Sequence, residues 1–223
     1  MSIEIKVHPA IIAACIMGTV LVSGLGKMNI IHHEEVPFQL IENQVVIISK
    51  HWYGDKVDIR MDSEIDSQES VRAIIKVLQE AGRLDTITFH LAGYGGNVET
   101  VFNLIDNVQS CLGRVIMIVE APVYSGHAYL ALAGDRLVMR PYSSLMLHTS
   151  SAYGEDCSKQ DGYDRKVSNT EHCYAFMDTH FKLINKFLLS IDYKVMSIEE
   201  KSAVMNGHDF YLTADEYNQR VNQ

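Results

Sequence analysis

Short apolar runs alternate with amphipathic segments along the middle of the chain, and this pattern predicts an α/β fold. Val71, Ile74 and Leu78 recur at the spacing of one helix face, which predicts a helix over residues 67–81. A second helix is expected over residues 97–111. Strands that alternate with helices favour a parallel sheet covered by helices. The runs that read as strands lie at residues 44–49, 57–61, 86–91 and 115–119.

The end of the fourth apolar run carries the first candidate for chemistry. Ser125 stands between this run and an Ala/Leu-rich helical segment. Its hydroxyl is therefore expected at a helix N-terminus, beside backbone N–H groups that lack an intrahelical partner. Most serines at such a junction are simple N-caps, so Ser125 alone is weak support for a nucleophile.

Other residues complete a set that fits nucleophilic catalysis. His148 closes a later β-like run, and Asp209 follows a helix-stop signal. Serine, histidine and aspartate can act as nucleophile, base and orienting group for the base. The N–H groups of Gly95, Gly96 and Gly126 are candidate oxyanion donors, since glycine allows a carbonyl to approach the backbone closely. Each also has a purely structural interpretation. His148 fits a histidine at a strand end, Asp209 a turn residue, and Gly95-Gly96 a tight turn before a helix.

Four segments of the chain, in this order, resemble the proteolytic subunit of the Clp protease. The family's Asn-Ser-Pro-Gly-Gly turn, Ala-Ser-Met-Gly elbow, Pro-x-Ser-x-x-Met-x-His run and Arg-Asp-x-Phe-Met-Ser-Ala segment are similar to residues 92–96, 124–127, 141–148 and 208–214. The resemblance implies that Ser125, His148 and Asp209 form a catalytic triad. It also implies a Clp-protease/crotonase-like fold of repeated βαβ units with an extended handle helix.

The resemblance implies a serine endopeptidase that cuts unfolded polypeptides inside a homo-oligomeric ring, heptameric or stacked as a double ring, with an AAA+ unfoldase as partner. Two alternatives stay open. One is a non-catalytic Clp-like ring subunit. The other is a membrane-associated signal-peptide peptidase of the same superfold, which needs a lysine base near Ser125. A crotonase-type acyl-CoA enzyme shares the glycine turn but does not require the serine, histidine and aspartate together.

The segment between His148 and Asp209 is longer than the resemblance predicts. A polar stretch at residues 150–162 reads as an enlarged loop. Residues 163–189 have a helical pattern that fits the handle by which two rings dock, and it fits equally an amphipathic helix that packs on the core. Gly126 replaces the family's methionine and Tyr94 its proline, so the substrate pocket is expected to differ in shape.

Composition is that of an ordinary globular enzyme. The chain has 223 residues, 47% of them apolar, which suffices for one substantial core. Its formal net charge of −9 and the lack of a Lys/Arg cluster disfavour a nucleic-acid partner. The four cysteines show no CxxC pairing, which is typical of reduced thiols in a cytoplasmic protein.

The N-terminal part is the least informative. The resemblance covers roughly residues 55–217, so we expect an N-terminal segment over residues 1–54 and a peptidase domain over residues 55–223. Residues 9–26 carry no charge and fit a signal peptide, a membrane helix or a buried β element, of which the last is favoured. His32 and His33 are adjacent and lack ligand spacing, so we expect neither a metal nor a cofactor.

Overall fold

The computed structural model describes residues 39–41, 44–49, 54–149 and 171–222, with side chains for residues 54–149 and 177–222. This part of the chain forms eight strands and six helices. In chain order they are β1 (Gln39–Ile41), β2 (Gln44–Ser49), β3 (Lys56–Met61), α1 (Gln68–Glu80), β4 (Thr86–Gly93), α2 (Val98–Ser110), β5 (Arg114–Tyr124), α3 (Gly126–Ala131), β6 (Arg136–Met139), β7 (Ser144–Leu147), α4 (Glu171–Ser190), α5 (Ile198–Met205), β8 (Phe210–Thr213) and α6 (Ala214–Val221).

All described strands belong to one sheet, in the order β1-β2-β3-β4-β5-β7-β8, with β6 also paired to β5. The strands β3, β4 and β5 are parallel, and β5 pairs in parallel with β6 along its first half and with β7 at its end. The antiparallel pairs lie at the two sides of the sheet. The predicted α/β fold with a parallel centre is therefore confirmed, and the sheet takes in two strands from the segment before residue 55.

The first two helices form where the apolar spacing predicts them. The Ser67 hydroxyl accepts a hydrogen bond from the Ser70 N–H and caps α1, which buries Val71, Ile74 and Leu78 on one face. Because each helix buries only one stripe, its free energy of folding comes from packing on the sheet more than from intrinsic propensity.

The core lies between one face of the sheet and these helices. Along β3 and β4 every second side chain is buried, which is the period of a strand with one covered face. Phe89 at the centre of β4 is fully buried. Truncation of such an aromatic to alanine typically costs about 3–5 kcal/mol. The core therefore supports β4 up to the glycine turn that follows it.

The long helix α4 covers the second half of the expected handle, whose earlier residues lie outside the described ones. Its side chains Ile184, Phe187 and Leu188 are buried in the same core as the sheet. The Phe187 ring lies edge-on to Phe102 of α2 and Tyr129 of α3, at centroid distances of 5.9 and 5.8 Å. The C-terminal half of α4 thus packs on the core, as an amphipathic helix of the monomer would.

Candidate active site

Ser125 occupies a strained junction between β5 and α3. It has φ +54° and ψ −125°, and no other non-glycine residue of the described chain has a positive φ. Such a conformation costs an L-residue about 1–3 kcal/mol and persists only where the surroundings impose it. Here the Ser125 N–H donates to the Met146 carbonyl at 2.8 Å, and its carbonyl accepts from the N–H groups of Ala128 and Tyr129.

The side chain of Ser125 does not serve as a helix cap. It makes no hydrogen bond to the first turn of α3, although the residue stands at the N-cap position. The simple N-cap interpretation therefore fails for this serine. A strained serine between a strand and a helix is the geometry of a nucleophile elbow, in which the backbone turn exposes the hydroxyl.

The glycine turn after β4 lies directly against this elbow. A Cβ atom on Gly95 would lie 2.7 Å from the Gly126 nitrogen and 2.8 Å from the Ser125 Cβ. A Cβ atom on Gly96 would lie 2.2 Å from the Ile65 carbonyl oxygen. Gly95 and Gly96 also have φ values of +109° and +150°. Both positions therefore require glycine for space and for backbone conformation.

The three expected oxyanion donors differ in what their N–H groups do. The Gly95 N–H donates to Nδ1 of His127 at 2.9 Å, so it is already used inside the protein. The Gly95 carbonyl accepts from the Ile65 N–H at 2.9 Å. Among the described residues, neither Gly96 nor Gly126 has an acceptor for its N–H. The donors left for an oxyanion are thus those of Gly96 and Gly126.

His148 reaches the elbow because β7 pairs with the end of β5. The parallel register joins Val123 to Leu145 and Tyr124 to Met146, so His148 leaves β7 next to the turn that holds Ser125. Ser125, His148, Gly96 and Gly126 line one small cavity of about 20 Å³. The sheet thereby brings together the predicted nucleophile, base and two of the predicted donors.

Asp209 stands at the next strand of the sheet. The antiparallel register of β7 and β8 pairs Leu147 with Phe210, so the following positions, His148 and Asp209, face each other beyond the last pair. The Asp209 side chain is exposed, and within the described chain no hydrogen bond or ion pair joins it to His148. The backbone therefore brings the third predicted residue beside the second, while its carboxylate does not contact the imidazole.

Residues 42–170 match the family model for Clp protease, which is more than half of the 223 residues. The chain belongs to the Clp protease family. The match begins before the residues that carry the resemblance, and it includes Ser125 and His148 but ends before Asp209. A comparison with curated proteins gave no match. Family membership supports a peptidase, and hence a hydrolase, role in general terms.

Two further residues of α3 belong to the site and were not predicted from the sequence. His127 is fully buried and accepts the Gly95 N–H, at the elbow position where the Clp protease pattern has glycine. The replacement of that glycine by histidine was the sequence feature that could have identified His127 as part of the site. Tyr129 donates its hydroxyl proton to the His148 carbonyl at 2.8 Å. Burial lowers the pKa of His127 to about 4 and raises the pKa of Tyr129.

Neither a cluster of metal ligands nor a membrane-spanning helix occurs among the described residues. Within residues 54–149 and 177–222, no three His, Cys, Asp or Glu side chains cluster as metal ligands would. Over the same part of the chain, no helix has both the length and the apolar character needed to span a bilayer. The segment at residues 9–26 and the His32-His33 pair lie outside the described residues.

Proposed function

We propose that the chain is a serine endopeptidase subunit that hydrolyses peptide bonds of unfolded polypeptides, with Ser125, His148 and Asp209 as its triad. One observation carries the proposal. Ser125 is held at φ +54° with its hydroxyl unused as a cap, on the same cavity as His148 and two glycine N–H groups. Strain at a single polar residue beside a histidine is typical of a nucleophile and uncommon in a structural turn.

The geometry supports acyl transfer in two steps. His148 takes the hydroxyl proton as Ser125 Oγ attacks the scissile carbonyl, and the N–H groups of Gly96 and Gly126 bind the oxyanion. His148 then protonates the leaving amine. A water molecule, deprotonated by His148, hydrolyses the acyl-enzyme in the second step, which restores the Ser125 hydroxyl.

Asp209 has the role of orienting His148 in this mechanism. Its carboxylate must turn toward the imidazole, and the facing positions of the two residues beyond the β7–β8 ladder make that a side-chain rotation. Catalytic hydrogen bonds commonly tighten only when substrate binds. The role of Asp209 is therefore compatible with its exposed position.

Enclosure in a homo-oligomeric ring belongs to the same proposal, heptameric or double by analogy with the family, with an AAA+ unfoldase for folded substrates. The supports are family membership and the position of the site at the carboxyl ends of the central strands β4 and β5. A ring limits access by size and so protects folded proteins.

A non-catalytic ring subunit is the second candidate, and the absence of a contact between Asp209 and His148 favours it. A Ser/Lys peptidase has less support, because no lysine is among the described residues that line the cavity. These alternatives differ in whether Ser125 reacts and in whether its reactivity depends on His148.

Labelling of the purified full-length chain by a fluorophosphonate probe distinguishes the candidates. We expect wild type and the control Ser110→Ala to be labelled, because Ser110 lies at the end of α2, where its hydroxyl donates to the Asp106 carbonyl. We expect Ser125→Ala and His148→Ala to lose labelling. An unlabelled wild type favours the non-catalytic subunit, whereas labelling that survives in His148→Ala points to a different base.

A further inference from the structure

We propose that His127 is a positioning residue that holds the glycine turn with the Gly96 N–H presented to the oxyanion. The inference rests on the proposed function and deepens it. It starts from a single contact, the hydrogen bond from the Gly95 N–H to Nδ1 of His127 at 2.9 Å.

The ring of His127 fits only because the turn contains glycine. His127 is fully buried, and a Cβ atom on Gly93 would lie 3.2 Å from its Cε1 and 3.3 Å from its Nε2. Those separations are tighter than ordinary van der Waals contact. Gly93 and His127 therefore fit each other as a pair, with the imidazole packed against the residue where β4 ends.

The hydrogen bond also determines the form of the imidazole. A ring nitrogen that accepts a hydrogen bond carries no proton, so a neutral His127 has its proton on Nε2. Burial favours this uncharged form. Among the described residues Nε2 has no partner, so the bond at Nδ1 is the one hydrogen bond of this side chain. A residue that merely filled the space would be apolar, because a buried N–H without a partner destabilises the folded state.

Three hydrogen bonds together set the orientation of the turn. His127 accepts from the Gly95 N–H, the Ile65 N–H donates to the Gly95 carbonyl at 2.9 Å, and the Ile65 carbonyl accepts from the Asn97 N–H at 2.8 Å. The Gly95–Gly96 peptide bond is trans, so the Gly96 N–H points opposite to that carbonyl and away from Ile65. On this side lies the elbow, since the Gly96 nitrogen is 3.4 Å from where a Cβ atom of Gly126 would be.

Without the acceptor at His127, the Gly95 N–H loses its partner, and the turn is held only by its two hydrogen bonds with Ile65. Glycines have few steric limits of their own, so the turn would then sample other orientations. Removal of an oxyanion donor typically costs ~10²–10³ in rate. Because a mobile donor is still present part of the time, we expect a loss near ~10² in kcat, with KM little changed.

Three substitutions separate the hydrogen bond from space filling. In His127→Asn, Oδ1 stands as many bonds from Cα as Nδ1 does, so the acceptor is kept in a smaller side chain. In His127→Gln the amide oxygen lies one bond further out. In His127→Leu the bulk is largely kept and the acceptor is lost. A role for the acceptor predicts that Asn restores most of kcat, whereas a role for bulk predicts that Leu does.

The experiment measures kcat, KM and melting temperature for these variants of the full-length chain with a fluorogenic peptide. We expect kcat to fall ~10²-fold in His127→Leu and His127→Gln but to stay within about tenfold of wild type in His127→Asn. A wild-type kcat in His127→Leu, or no advantage of Asn over Gln, overturns the inference.

A second measurement does not depend on activity. Solid-state NMR of the full-length chain labelled with ¹⁵N-histidine reports the tautomer of each imidazole, and the signal absent from His127→Asn identifies His127. We expect an unprotonated Nδ1 and a protonated Nε2 at neutral pH. A protonated Nδ1 overturns the inference whatever the kinetics of the variants. Failure of the proposed function appears separately, as a wild type that the fluorophosphonate probe does not label.

Discussion

At the scale of single residues, the strain at Ser125 connects stability with function. Its φ of +54° and ψ of −125° are accessible to glycine but unfavourable for a residue with a Cβ atom. The contacts that impose this conformation come from Met146 on one side and the first turn of α3 on the other. Hydrogen bonds with a neighbouring strand and with α3 thus stabilise a backbone conformation that neither helix nor strand propensity favours.

The first prediction compares two inactive variants, Ser125→Gly and Ser125→Ala. Glycine relieves about 1–3 kcal/mol of strain but loses about 0.5–1 kcal/mol to its greater freedom in the unfolded chain. We therefore expect Ser125→Gly to have a free energy of unfolding about 1 kcal/mol above that of Ser125→Ala, measured by denaturant titration. A more stable alanine variant would show that the backbone there is not strained.

The second prediction concerns Asp209. If it orients His148, Asp209→Asn should keep the fold and the melting temperature while lowering kcat by up to ~10⁴, because the imidazole is then held in the wrong tautomer. Steady-state kinetics on a fluorogenic peptide measure the loss. Asp215→Asn, at an exposed aspartate in the first turn of α6, is the matched control. Equal kcat values in the two variants would remove Asp209 from the mechanism.

At the scale of elements, α3 joins the elbow to the handle helix. Tyr129 packs its ring against Phe102 and Phe187 and directs its hydroxyl to the His148 carbonyl. One short helix therefore bears both His127, which contacts the glycine turn, and Tyr129, which contacts the backbone of His148. The Tyr129 hydroxyl thereby links α3 to the backbone of His148.

The third prediction is that Tyr129→Phe lowers kcat several-fold and lowers the free energy of unfolding by about 1 kcal/mol. The substitution keeps the aromatic contacts and removes one hydrogen bond, which is worth about 1 kcal/mol. Tyr129→Leu serves as the comparison, because it also disturbs packing against Phe187 and should lower the melting temperature clearly. The idea fails if Tyr129→Phe is indistinguishable from wild type in kcat and in the pH dependence of kcat.

On the face of the sheet opposite the core, three parallel strands share a polar contact. His90 of β4 bonds through Nδ1 to Glu120 of β5 at 2.8 Å, and Arg60 of β3 lies 3.3 Å from the same carboxylate. The hydrogen bond with His90 is the main cause that lowers the pKa of Glu120 below its usual 4.5. This contact joins the strands that carry the site.

The fourth prediction follows from that lowered pKa. A carboxyl group whose pKa is lower in the folded state stabilises the protein above its ordinary pKa, and the stabilisation disappears as pH falls through the folded value. We expect Glu120→Gln to lose about 1 kcal/mol of stability at neutral pH and almost none well below pH 4.5. Denaturant titrations across this pH range test it, with the exposed Glu80→Gln as control. A difference that does not change with pH would contradict it.

At the scale of the whole molecule, the end of α4 leaves large apolar side chains on the surface. Leu189 is 70% exposed and Tyr193, just beyond the helix, is 73% exposed, whereas Phe187 is buried in the core. An apolar patch at the end of the handle is compatible with the subunit or ring contact proposed above. Phe187, by contrast, packs in the core of the single chain and is not available for a contact between subunits.

The fifth prediction is that Leu189→Glu splits the assembly and lowers peptidase activity with it, because a charge placed in an apolar interface cannot be solvated there. Leu112→Glu is the matched control, as Leu112 is 65% exposed at the far end of α2. Sedimentation velocity measures the oligomer and a fluorogenic peptide the activity. A wild-type chain that is fully active as a monomer would refute the ring itself.

The sequence by itself determined the local elements and the position of the elbow. Alternating and helical spacings report which side chains are buried, so α1, α2 and the strands β2 to β5 follow from Val71, Ile74, Phe89 and their neighbours. Residues 197–200, Ser-Ile-Glu-Glu, have the sequence of a capping box and so predict the start of a helix, and at the start of α5 both hydrogen bonds between Ser197 and Glu200 form. Ser125 was identified because a nucleophile elbow needs a strand, a turn and a helix in direct succession.

Only the tertiary structure decided how the polar groups of the site are used. The Gly95 N–H donates to His127, a residue 32 positions away, and no local pattern encodes this hydrogen bond. The positions of His148 and Asp209 beside each other depend on the register of β7 and β8, which is set by packing between distant segments. Periodicity records whether a side chain is buried. The partner that satisfies a buried polar group is chosen by the fold.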